Sequence, residues 1–404
     1  MTTGTRPEDQ ILICVARRSL DTAAAERIHS LVQRELDWDY LLNSANRHGL
    51  TQLLYRHLSS RCPEAVPEEV AAKLKEQFLG NSRAALHLTS ELLRITKALE
   101  ANGIYAVGFK GPLLSLAAYG EIGLRQFGDL DILIKERDFR RAQALLESEG
   151  YAIDRQLTAA QQSSCLLSDC ELPFIHADTG CVVDLHWGLL PKRFPCALTQ
   201  EDVFERLRTI MVGNNVLRIF SNEDLLLFLC VHGAKHLWSR LEWICSVAEL
   251  ISNSQELNWA ALVERARESY SLNRLVLGLM VAKDIQPGLE IPGSVLEAVS
   301  DTESLRKCAK GIREKLFEVQ PDKEDEIGIF LFHLTAMDRK RDAVVGLLRS
   351  MLLPTVADWR LVTLPDALYP MYYVLRPIRL VAEYAAVLSR RVGSRKRPML
   401  KPLS

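Results

Sequence analysis

The sequence predicts an α+β fold, in which a small mixed-sheet core lies between two helical regions. Leucines near the N-terminus recur at mixed steps of three and four residues, which is the spacing of amphipathic helices. Short apolar runs separated by turn residues follow, as strands require, and helical spacing returns after Asn222. We therefore predict an N-terminal helical region at residues 1–95, a core at residues 96–220 and a C-terminal helical region at residues 221–404.

The N-terminal region has recognisable helix boundaries. Asp37 or Asp39 is a suitable N-terminal cap for one helix, and Gly49 is a suitable residue at its end. The segment from Glu68 to Gly103 predicts one or two long helices that end at the glycine.

The core begins with alternating strand and helix signals. Ile104–Phe109 predicts a buried strand. After the turn Lys110-Gly111-Pro112, the segment Leu113–Tyr119 predicts a helix, because proline favours the first helical turn. Asp129–Ile134 alternates carboxylate with aliphatic residues, which is the period of a strand. Asp138–Glu149 predicts a further helix.

The second half of the core predicts a hairpin, and the rest of the chain predicts helices. Leu172–Ile175 and Cys181–Leu185 are strand-like runs around Asp178-Thr179-Gly180, which is a good hairpin turn. The later predicted helices have wide apolar faces and are Leu225–Val231, Trp238–Ile251, Trp259–Ala282 and Phe330–Leu352.

Composition and charge exclude several classes of protein. The chain carries 50 lysine plus arginine residues against 51 aspartate plus glutamate residues, and its net charge of -1 argues against general nucleic-acid binding. Its nine cysteines include no C-x-x-C pair, so reduced thiols in the cytoplasm are predicted. The apolar run Ile11–Ala16 is too short for a secretory signal, and no uncharged apolar stretch reaches about 18 residues, so we predict no transmembrane segment.

Asp129 and Asp131 are two residues apart on a predicted strand, so their side chains point to the same face. Adjacent carboxylates repel each other unless a cation lies between them, and magnesium prefers such oxygen ligands together with substrate phosphates. Asp184, on a later strand, could complete a cluster for two metal ions and could help to deprotonate an acceptor hydroxyl. For an isolated D-x-D pair, the alternative is a solvated strand edge.

Further features stand in order around this pair. Gly108-Phe109-Lys110-Gly111 predicts a strand-to-helix turn, whose backbone N–H groups could hold a triphosphate. Arg125 could neutralise the same phosphates, or could instead form a structural ion pair with Asp129. Asp184-Leu185-His186-Trp187 follows on a new strand. The combined order favours an active site over a solvated edge.

With these motifs in place, the run from Gly108 to Tyr151 resembles the core of the polymerase-beta-type nucleotidyltransferase superfamily. It is most similar to a large, poorly characterised bacterial nucleotidyltransferase family. That family shows a lysine–glycine turn, an arginine shortly before D-x-D, and a later acidic residue followed by leucine, histidine and tryptophan. The likeness covers most of the chain, and its further segments are Asp37–Leu42 with His48-Gly49, His232–Trp238, Leu364-Pro365, Tyr372-Tyr373 and Arg376-Pro377.

The resemblance implies a magnesium-dependent nucleotidyltransferase with two ions, manganese being an alternative metal. Such an enzyme moves an NMP from an NTP, with ATP as the favoured donor, to an acceptor hydroxyl or other nucleophile and releases pyrophosphate. Whether the acceptor is a small molecule or a protein or peptide is left open. By this likeness the catalytic metal ligands are Asp129, Asp131 and Asp184, and the phosphate turn consists of Gly108, Lys110 and Gly111.

The chain departs from the family's pattern at three places, one of which is a gap from Gly111 to Asp129 that is longer than in the superfamily's usual pattern. The usual glycine–serine pair of the superfamily is replaced by Lys110-Gly111, so Lys110 is expected to supply charge where a hydroxyl would touch phosphate. Near Trp243-Ile244 the family often has an acidic residue where this chain has Ser246, which predicts that a supporting carboxylate is missing. A non-catalytic nucleotide-binding or scaffold protein that retains the fold is therefore the alternative.

Residues near the predicted site have both functional and structural interpretations. His186 shares a face with Asp184 and could bind nucleotide, or could be a hydrogen-bonded core histidine. His232 and His236 share a helical face, but no third ligand of convincing spacing follows to hold zinc. Lys235 beside them could contact nucleotide, and the alternative is a packed helix end.

The C-terminal segment predicts a helix and a basic tail. Met371–Leu388 is favoured as a terminal helix packed on the helical region, and peripheral contact with an anionic membrane is the alternative. The end of the chain predicts a disordered tail, whose basic residues are Arg390, Arg391, Arg395, Lys396, Arg397 and Lys401.

Overall fold

A computed structural model of the chain describes residues 6–153, 157–254, 256–318 and 326–394, with side chains described in these ranges except at 326–327 and 384–394. Helices make up most of these residues, and a five-stranded sheet follows one group of helices and precedes another along the chain. The predicted α+β class is confirmed. The division at residues 95 and 220 stays a prediction, and the helix Glu68–Ala101 runs across the first of these boundaries.

The N-terminal region consists of helices that bury their apolar faces. The Asp37 side chain accepts a hydrogen bond of 2.9 Å from the Tyr40 N–H and caps the third helix, as predicted. That helix ends just before Gly49, whose positive φ of 69° favours glycine. The helices are α1 (Pro7–Val15), α2 (Thr22–Val32), α3 (Trp38–Arg47), α4 (Thr51–Arg61) and α5 (Glu68–Ala101).

Five strands form one mixed sheet, and they are β1 (Ala106–Gly108), β2 (Asp129–Ile134), β3 (Tyr151–Ile153), β4 (Glu171–His176) and β5 (Val182–His186). Their order is β1-β2-β5-β4-β3, in which β2 and β5 pair in parallel and the other neighbours pair antiparallel. The predicted bounds of β2 and the predicted β4–β5 hairpin are confirmed. The short strand β3 was not predicted.

Short helices and a second hairpin complete the core. After β1 the chain enters α6 (Gly111–Leu114), which continues through a π-helical turn at Ser115–Tyr119 and ends at Gly120, where φ is 71°. The predicted helix in this segment is thus confirmed and begins slightly earlier. The remaining elements are α7 (Phe139–Ser148), α8 (Ala159–Ser168), α9 (Gln200–Phe204) and the unpredicted hairpin of β6 (Arg208–Val212) and β7 (Asn215–Ile219).

Two of the helices predicted in the C-terminal region are each divided into two, whereas the helix predicted at Leu225–Val231 is longer and spans Asn222–Lys235. The predicted helix Trp259–Ala282 breaks at Tyr270, where φ is 51°. The predicted helix Phe330–Leu352 is interrupted between Ala336 and Lys340. In this break the Asp338 carboxylate accepts hydrogen bonds of 2.9 and 2.8 Å from the N–H groups of Leu272 and Asn273. The helices are α10 (Asn222–Lys235), α11 (Leu241–Asn253), α12 (Trp259–Glu268), α13 (Leu272–Ile285), α14 (Gly293–Leu296), α15 (Thr302–Lys315), α16 (Glu326–Ala336), α17 (Lys340–Leu352), α18 (Val356–Leu361) and α19 (Tyr372–Ser394).

The last helix, α19, is joined to α18 by buried ion pairs. Arg376 and Arg379 donate to the Asp358 carboxylate at 2.8 and 2.7 Å, which supports the expectation of a packed terminal helix. In the described part of the chain, no helix has the length and hydropathy of a transmembrane span. The backbone of Arg390 and Arg391 belongs to α19, so the helix extends into the predicted tail, and residues 395–404 lie outside the described residues.

Trp238 is a fully buried side chain that packs between two C-terminal helices. An added Cβ at Gly233 of α10 would lie 2.5 Å from its ring, and one at Gly278 of α13 would lie 2.9 Å from it. The Cβ at Gly278 would also lie 2.6 Å from Cys230 Sγ. Both glycines therefore make room for the indole.

Gly278→Ala should destabilise the protein by about 1–3 kcal/mol, because the added methyl group overpacks the space around Trp238. Gly311→Ala is the matched control, since Gly311 also lies inside a helix and no described atom is within 4 Å of its added Cβ. The control should be neutral or stabilising by up to about 1 kcal/mol. Urea unfolding measures both, and equal midpoints for the two variants would contradict this account.

Candidate active site

The parallel pairing of β2 and β5 brings the predicted acidic residues together. Asp131 lies directly opposite Asp184, and Asp129 lies opposite Val182. Side chains two residues apart on a strand share a face, and so do residues in register on neighbouring strands. Asp129, Asp131 and Asp184 therefore project from the same face of the sheet.

Asp131 is a buried carboxylate held by two nitrogen atoms. Lys110 Nζ lies 2.6 Å and His186 Nε2 lies 3.0 Å from its Oδ1. Burial by itself would raise the pKa of Asp131, but the Lys110 ammonium and His186 outweigh burial and hold that pKa well below its usual range. Two of the predicted nucleotide-binding residues thus contact a predicted metal ligand and keep it ionised.

The pKa values of Asp184 and Asp129 are shifted in the opposite direction to that of Asp131. Burial and the negative charge of Asp131 raise the pKa of Asp184 to about 7, although His186 opposes this. The same two causes raise the pKa of Asp129, against the opposing charges of Lys110 and Arg125. The cluster therefore holds more carboxylate than its neighbouring cations neutralise, which favours the binding of a further cation.

The donor atoms of the cluster fit a divalent cation. One carboxylate oxygen from each of Asp131 and Asp184 and one ring nitrogen of His186 lie within 4.8 Å of one another. Carboxylate oxygens are the ligands that Mg²⁺ and Mn²⁺ prefer. Asp129 stands outside this group among the described residues, so its side chain would have to rotate to bind the same ion.

The turn between β1 and α6 is shaped by glycine. Gly111 has a φ of 52°, and an added Cβ there would lie 3.3 Å from the backbone oxygen of Asp129. An added Cβ at Gly108 would lie 3.0 Å from Leu113 Cδ1. Because neither glycine carries a side chain, the turn packs tightly on its neighbours, and Lys110 within it reaches Asp131.

Arg125 forms its ion pair with Glu242. The alternative prediction of a structural ion pair with Asp129 is therefore wrong. Arg125 Nη2 lies 2.5 Å from Glu242 Oε1, and the two side chains are 9% and 3% exposed. The Arg125 charge nevertheless opposes the rise in the pKa of Asp129, so it acts on the cluster. Glu242 did not stand out in the sequence.

Glu242 supplies a carboxylate one residue before Trp243, in the region where a supporting acid was expected to be missing. Ser246 is buried, and its hydroxyl lies 3.4 Å from the Tyr119 hydroxyl. The Glu242 N–H donates to the backbone oxygen of His48 at 3.1 Å, and an added Cβ at Gly49 would overlap the Glu242 carboxylate. The His48-Gly49 motif therefore positions the acid that holds the arginine.

The C-terminal end of α10 lies close to the cluster and presents neutral histidines. The His232 and His236 rings are 4.6 Å apart, and they lie 5.6 and 5.2 Å from the Trp243 ring. Burial lowers the pKa of His236 to about 4 and lowers that of His232 well below its usual value. Neither histidine belongs to a group with metal-ligand spacing in the described ranges. Lys235 is half-buried, and its charge lowers the pKa of Glu171.

Two residues that were not predicted, Cys170 and Glu171, adjoin His186. Glu171 lies opposite His186 in the β4–β5 register, and its Oε2 lies 3.2 Å from His186 Nδ1. Burial would raise the pKa of Glu171, but His186 and Lys110 lower it below its ordinary value. The sequence signal that could have placed Glu171 opposite His186 was the hairpin turn Asp178-Thr179-Gly180, because a turn fixes the register of its strands.

Two cavities in the described part of the chain lie away from this site. One of about 430 Å³ is lined in part by Arg17, Arg18 and Glu249, and one of about 290 Å³ is lined in part by Tyr55 and Leu58. Neither is lined by a residue of the acidic cluster. The assignment therefore depends on strand register and charge.

Comparison with protein families places the chain in one of them. A family model described as an uncharacterised nucleotidyltransferase matches residues 34–286, which is more than half of the chain. The matched residues include β1 to β7, α10 and α11. No curated protein matches the chain.

Asp184 should make the metal-free protein less stable as the pH rises. The folded carboxyl keeps its proton up to about pH 7, whereas an unfolded aspartate loses it near pH 4. Its stabilising contribution is fully present below about pH 4 and is lost as the pH rises through about 7. Urea unfolding in a chelator should therefore show wild type losing stability over this window relative to Asp184→Asn. Asp178→Asn, at an exposed turn position, should follow wild type, and parallel curves for all three would contradict the assignment.

Asp131→Asn should destabilise the fold by about 3–5 kcal/mol, because it leaves the buried Lys110 ammonium without its counter-charge. The Lys110 and Asp131 side chains are 18% and 3% exposed, so solvent compensates little. The double variant Lys110→Met with Asp131→Asn should recover part of the loss, which a double-mutant cycle of urea midpoints measures. A single variant as stable as wild type would show that the pair is not structurally important.

Proposed function

The chain belongs to the uncharacterised nucleotidyltransferase family and is an enzyme of that type, and from this premise we propose a specific reaction. The enzyme moves an NMP from an NTP to an acceptor nucleophile and releases pyrophosphate, with Mg²⁺ as its metal. The observation that carries the proposal is the position of Asp131 opposite Asp184 in the β2–β5 register. Carboxylates that converge on one face are the ligands that two-metal phosphoryl transfer uses.

Asp131 and Asp184 are the proposed ligands of the first ion, and Asp129 joins the set after rotation of its side chain. Ions in such a site neutralise phosphate charge and polarise the reacting phosphorus. Two ions are proposed, and Mn²⁺ is the alternative metal because it accepts the same oxygen ligands. The raised pKa values of Asp184 and Asp129 support the proposal, since they reflect negative charge that a cation would offset.

The turn with Gly108, Lys110 and Gly111 forms the proposed phosphate side of the site. The Lys110 ammonium lies at Asp131, and a triphosphate beside Asp131 would offer it a second anionic partner. Arg125 and Lys235 add positive charge from the segment before β2 and from the end of α10. This arrangement uses charge where the superfamily turn uses a serine hydroxyl.

Asp184 is the proposed proton acceptor. The pKa of about 7 belongs to the metal-free site, so in the loaded enzyme Asp184 would take the proton through the carboxylate oxygen that the ion does not bind. The acceptor O–H or N–H gives its proton to Asp184 while its new bond to the α-phosphorus forms. The bond from the α-phosphorus to the bridging oxygen breaks, and pyrophosphate leaves with that electron pair. His186 and Lys110 keep Asp131 ionised during the transfer.

The alternative of a non-catalytic scaffold has less support, because the three aspartates share one face and Asp131 keeps its charge partners. By likeness to the family, ATP is the proposed donor, and a small molecule or a protein or peptide is the proposed acceptor. We also propose a cytoplasmic location, which the free cysteines support. Val374 and Ile378 on α19 are exposed apolar residues. Peripheral contact of this helix with a membrane therefore stays an alternative proposal.

The reaction can be tested directly with ATP that is labelled at one of two different phosphorus atoms. ATP labelled at the α-phosphorus or at the γ-phosphorus is incubated with the protein, Mg²⁺ and lysate, with metabolites and proteins in separate arms. We expect transfer of the α-label together with release of pyrophosphate. Transfer of the γ-label alone would contradict the proposal, because it identifies phosphoryl transfer.

Asp184→Asn should lower the rate of α-label transfer by roughly a thousandfold or more, because a metal ligand and the proton acceptor together supply several kcal/mol. This variant is a sharper test than Asp131→Asn, since Lys110 and His186 keep their partner. Asp178→Asn is the control and should keep the wild-type rate. Transfer that survives in Asp184→Asn, with a native circular dichroism spectrum, would overturn the assignment.

A further inference from the structure

We propose that Cys170, Glu171 and His186 form a second metal site, suited to Zn²⁺ and separate in its chemistry from the acidic cluster. Their sulfur, carboxylate oxygen and ring nitrogen atoms lie within 4.8 Å of one another. Thiolate, carboxylate and imidazole are the ligands that zinc takes in proteins, whereas magnesium prefers oxygen. The two groups share His186 and differ in the other ligands.

The distances around Glu171 fit a tetrahedral ion. Its Oε2 lies 3.8 Å from Cys170 Sγ and 3.2 Å from His186 Nδ1. With bonds of about 2.3 Å to sulfur and about 2.1 Å to nitrogen and oxygen, a tetrahedral zinc site separates sulfur from oxygen by about 3.6 Å and nitrogen from oxygen by about 3.4 Å. Both observed distances lie within a few tenths of an ångström of these values, so small side-chain movements suffice.

Within this group, His186 Nδ1 is the atom that is buried without a hydrogen bond from the described residues. The other ring nitrogen, Nε2, lies 3.0 Å from Asp131 Oδ1, so we assign the ring hydrogen to Nε2, which donates to the carboxylate. Nδ1 is buried, and no described atom forms a hydrogen bond with it, although the Glu171 carboxylate is close. The His186 side chain is 2% exposed. A metal ion between the two groups would satisfy this lone pair and separate it from the carboxylate.

The surrounding residues already form the hydrogen bonds and strand pairing that hold the three ligands of such a site in position. Histidines that bind zinc commonly donate their other N–H to a carboxylate, which fixes the ring and makes it a better ligand, and Asp131 is in that position. Register places Glu171 opposite His186. The Cys170 backbone oxygen accepts hydrogen bonds of 2.9 and 3.2 Å from the N–H groups of Trp187 and Gly188. The sheet therefore holds all three ligands in place, and three protein ligands leave a fourth position for water.

Titration with the metal alone tests the proposal. Full-length protein is stripped with a chelator, desalted and titrated with Zn²⁺, and then with Co²⁺ as an absorbing substitute. Wild type should bind one equivalent of Zn²⁺ at this site, and Co²⁺ should give a thiolate-to-cobalt charge-transfer band. Cys170→Ser should remove that band. Glu171→Gln should weaken Zn²⁺ binding at least about tenfold, because even changes outside the ligand set cost about 10–100-fold.

Two control variants separate this site from its surroundings. Cys308→Ser removes a half-buried thiol outside the cluster and should bind as wild type does. Asp184→Asn should keep Zn²⁺ binding while it loses transfer, so this proposal and the proposed reaction can fail independently. If circular dichroism shows that Cys170→Ser is unfolded, Glu171→Gln decides the outcome, since its side chain is 39% exposed and partly solvated.

Three results would each overturn the proposal. The first is that wild type binds no Zn²⁺. The second is that binding is unchanged in the folded Cys170 and Glu171 variants. The third is that binding is lost in Asp184→Asn and kept in Cys170→Ser, because the ion would then occupy the acidic cluster.

Discussion

The site depends on one buried negative charge, that of Asp131. A carboxylate removed from water costs several kcal/mol unless it is paired and hydrogen-bonded, and Asp131 is paired twice, with Lys110 and with His186. One partner comes from the glycine turn after β1 and the other from β5. These contacts of Asp131 therefore link the turn to the sheet. The raised pKa of Asp184 arises partly from the same charge.

Local patterns predicted much of the core. The bounds of β2 were predicted in full, and the β4–β5 hairpin was found, because strand alternation and turn residues are encoded in neighbouring positions. The order of Asp131 and Asp184 along the chain was also evident. The sequence did not show that Asp131 and Asp184 lie directly opposite each other on neighbouring strands. Parallel strands pair across long sequence separations, and the intervening chain does not determine their register.

The features that could not be predicted depend on tertiary contacts. Glu171 and Glu242 are ordinary glutamates in the sequence, and they join the site because β4 pairs with β5 and α11 packs against the end of α3. The break at Asp338 was hidden for a similar reason. Its carboxylate caps α13, which lies far away in the chain, while the apolar spacing continues across the break. A periodicity argument cannot detect a cap supplied from another element.

Gly49 links an N-terminal helix to the acidic cluster through Glu242. It lies beyond the end of α3, and Glu242 occupies the volume that a side chain at this position would need. Glu242 in turn holds Arg125, whose charge reaches Asp129. A larger residue at position 49 would displace the acid, release the guanidinium group and alter the field at the cluster. The N-terminal helices therefore contribute to the electrostatic potential at the acidic cluster as well as to packing.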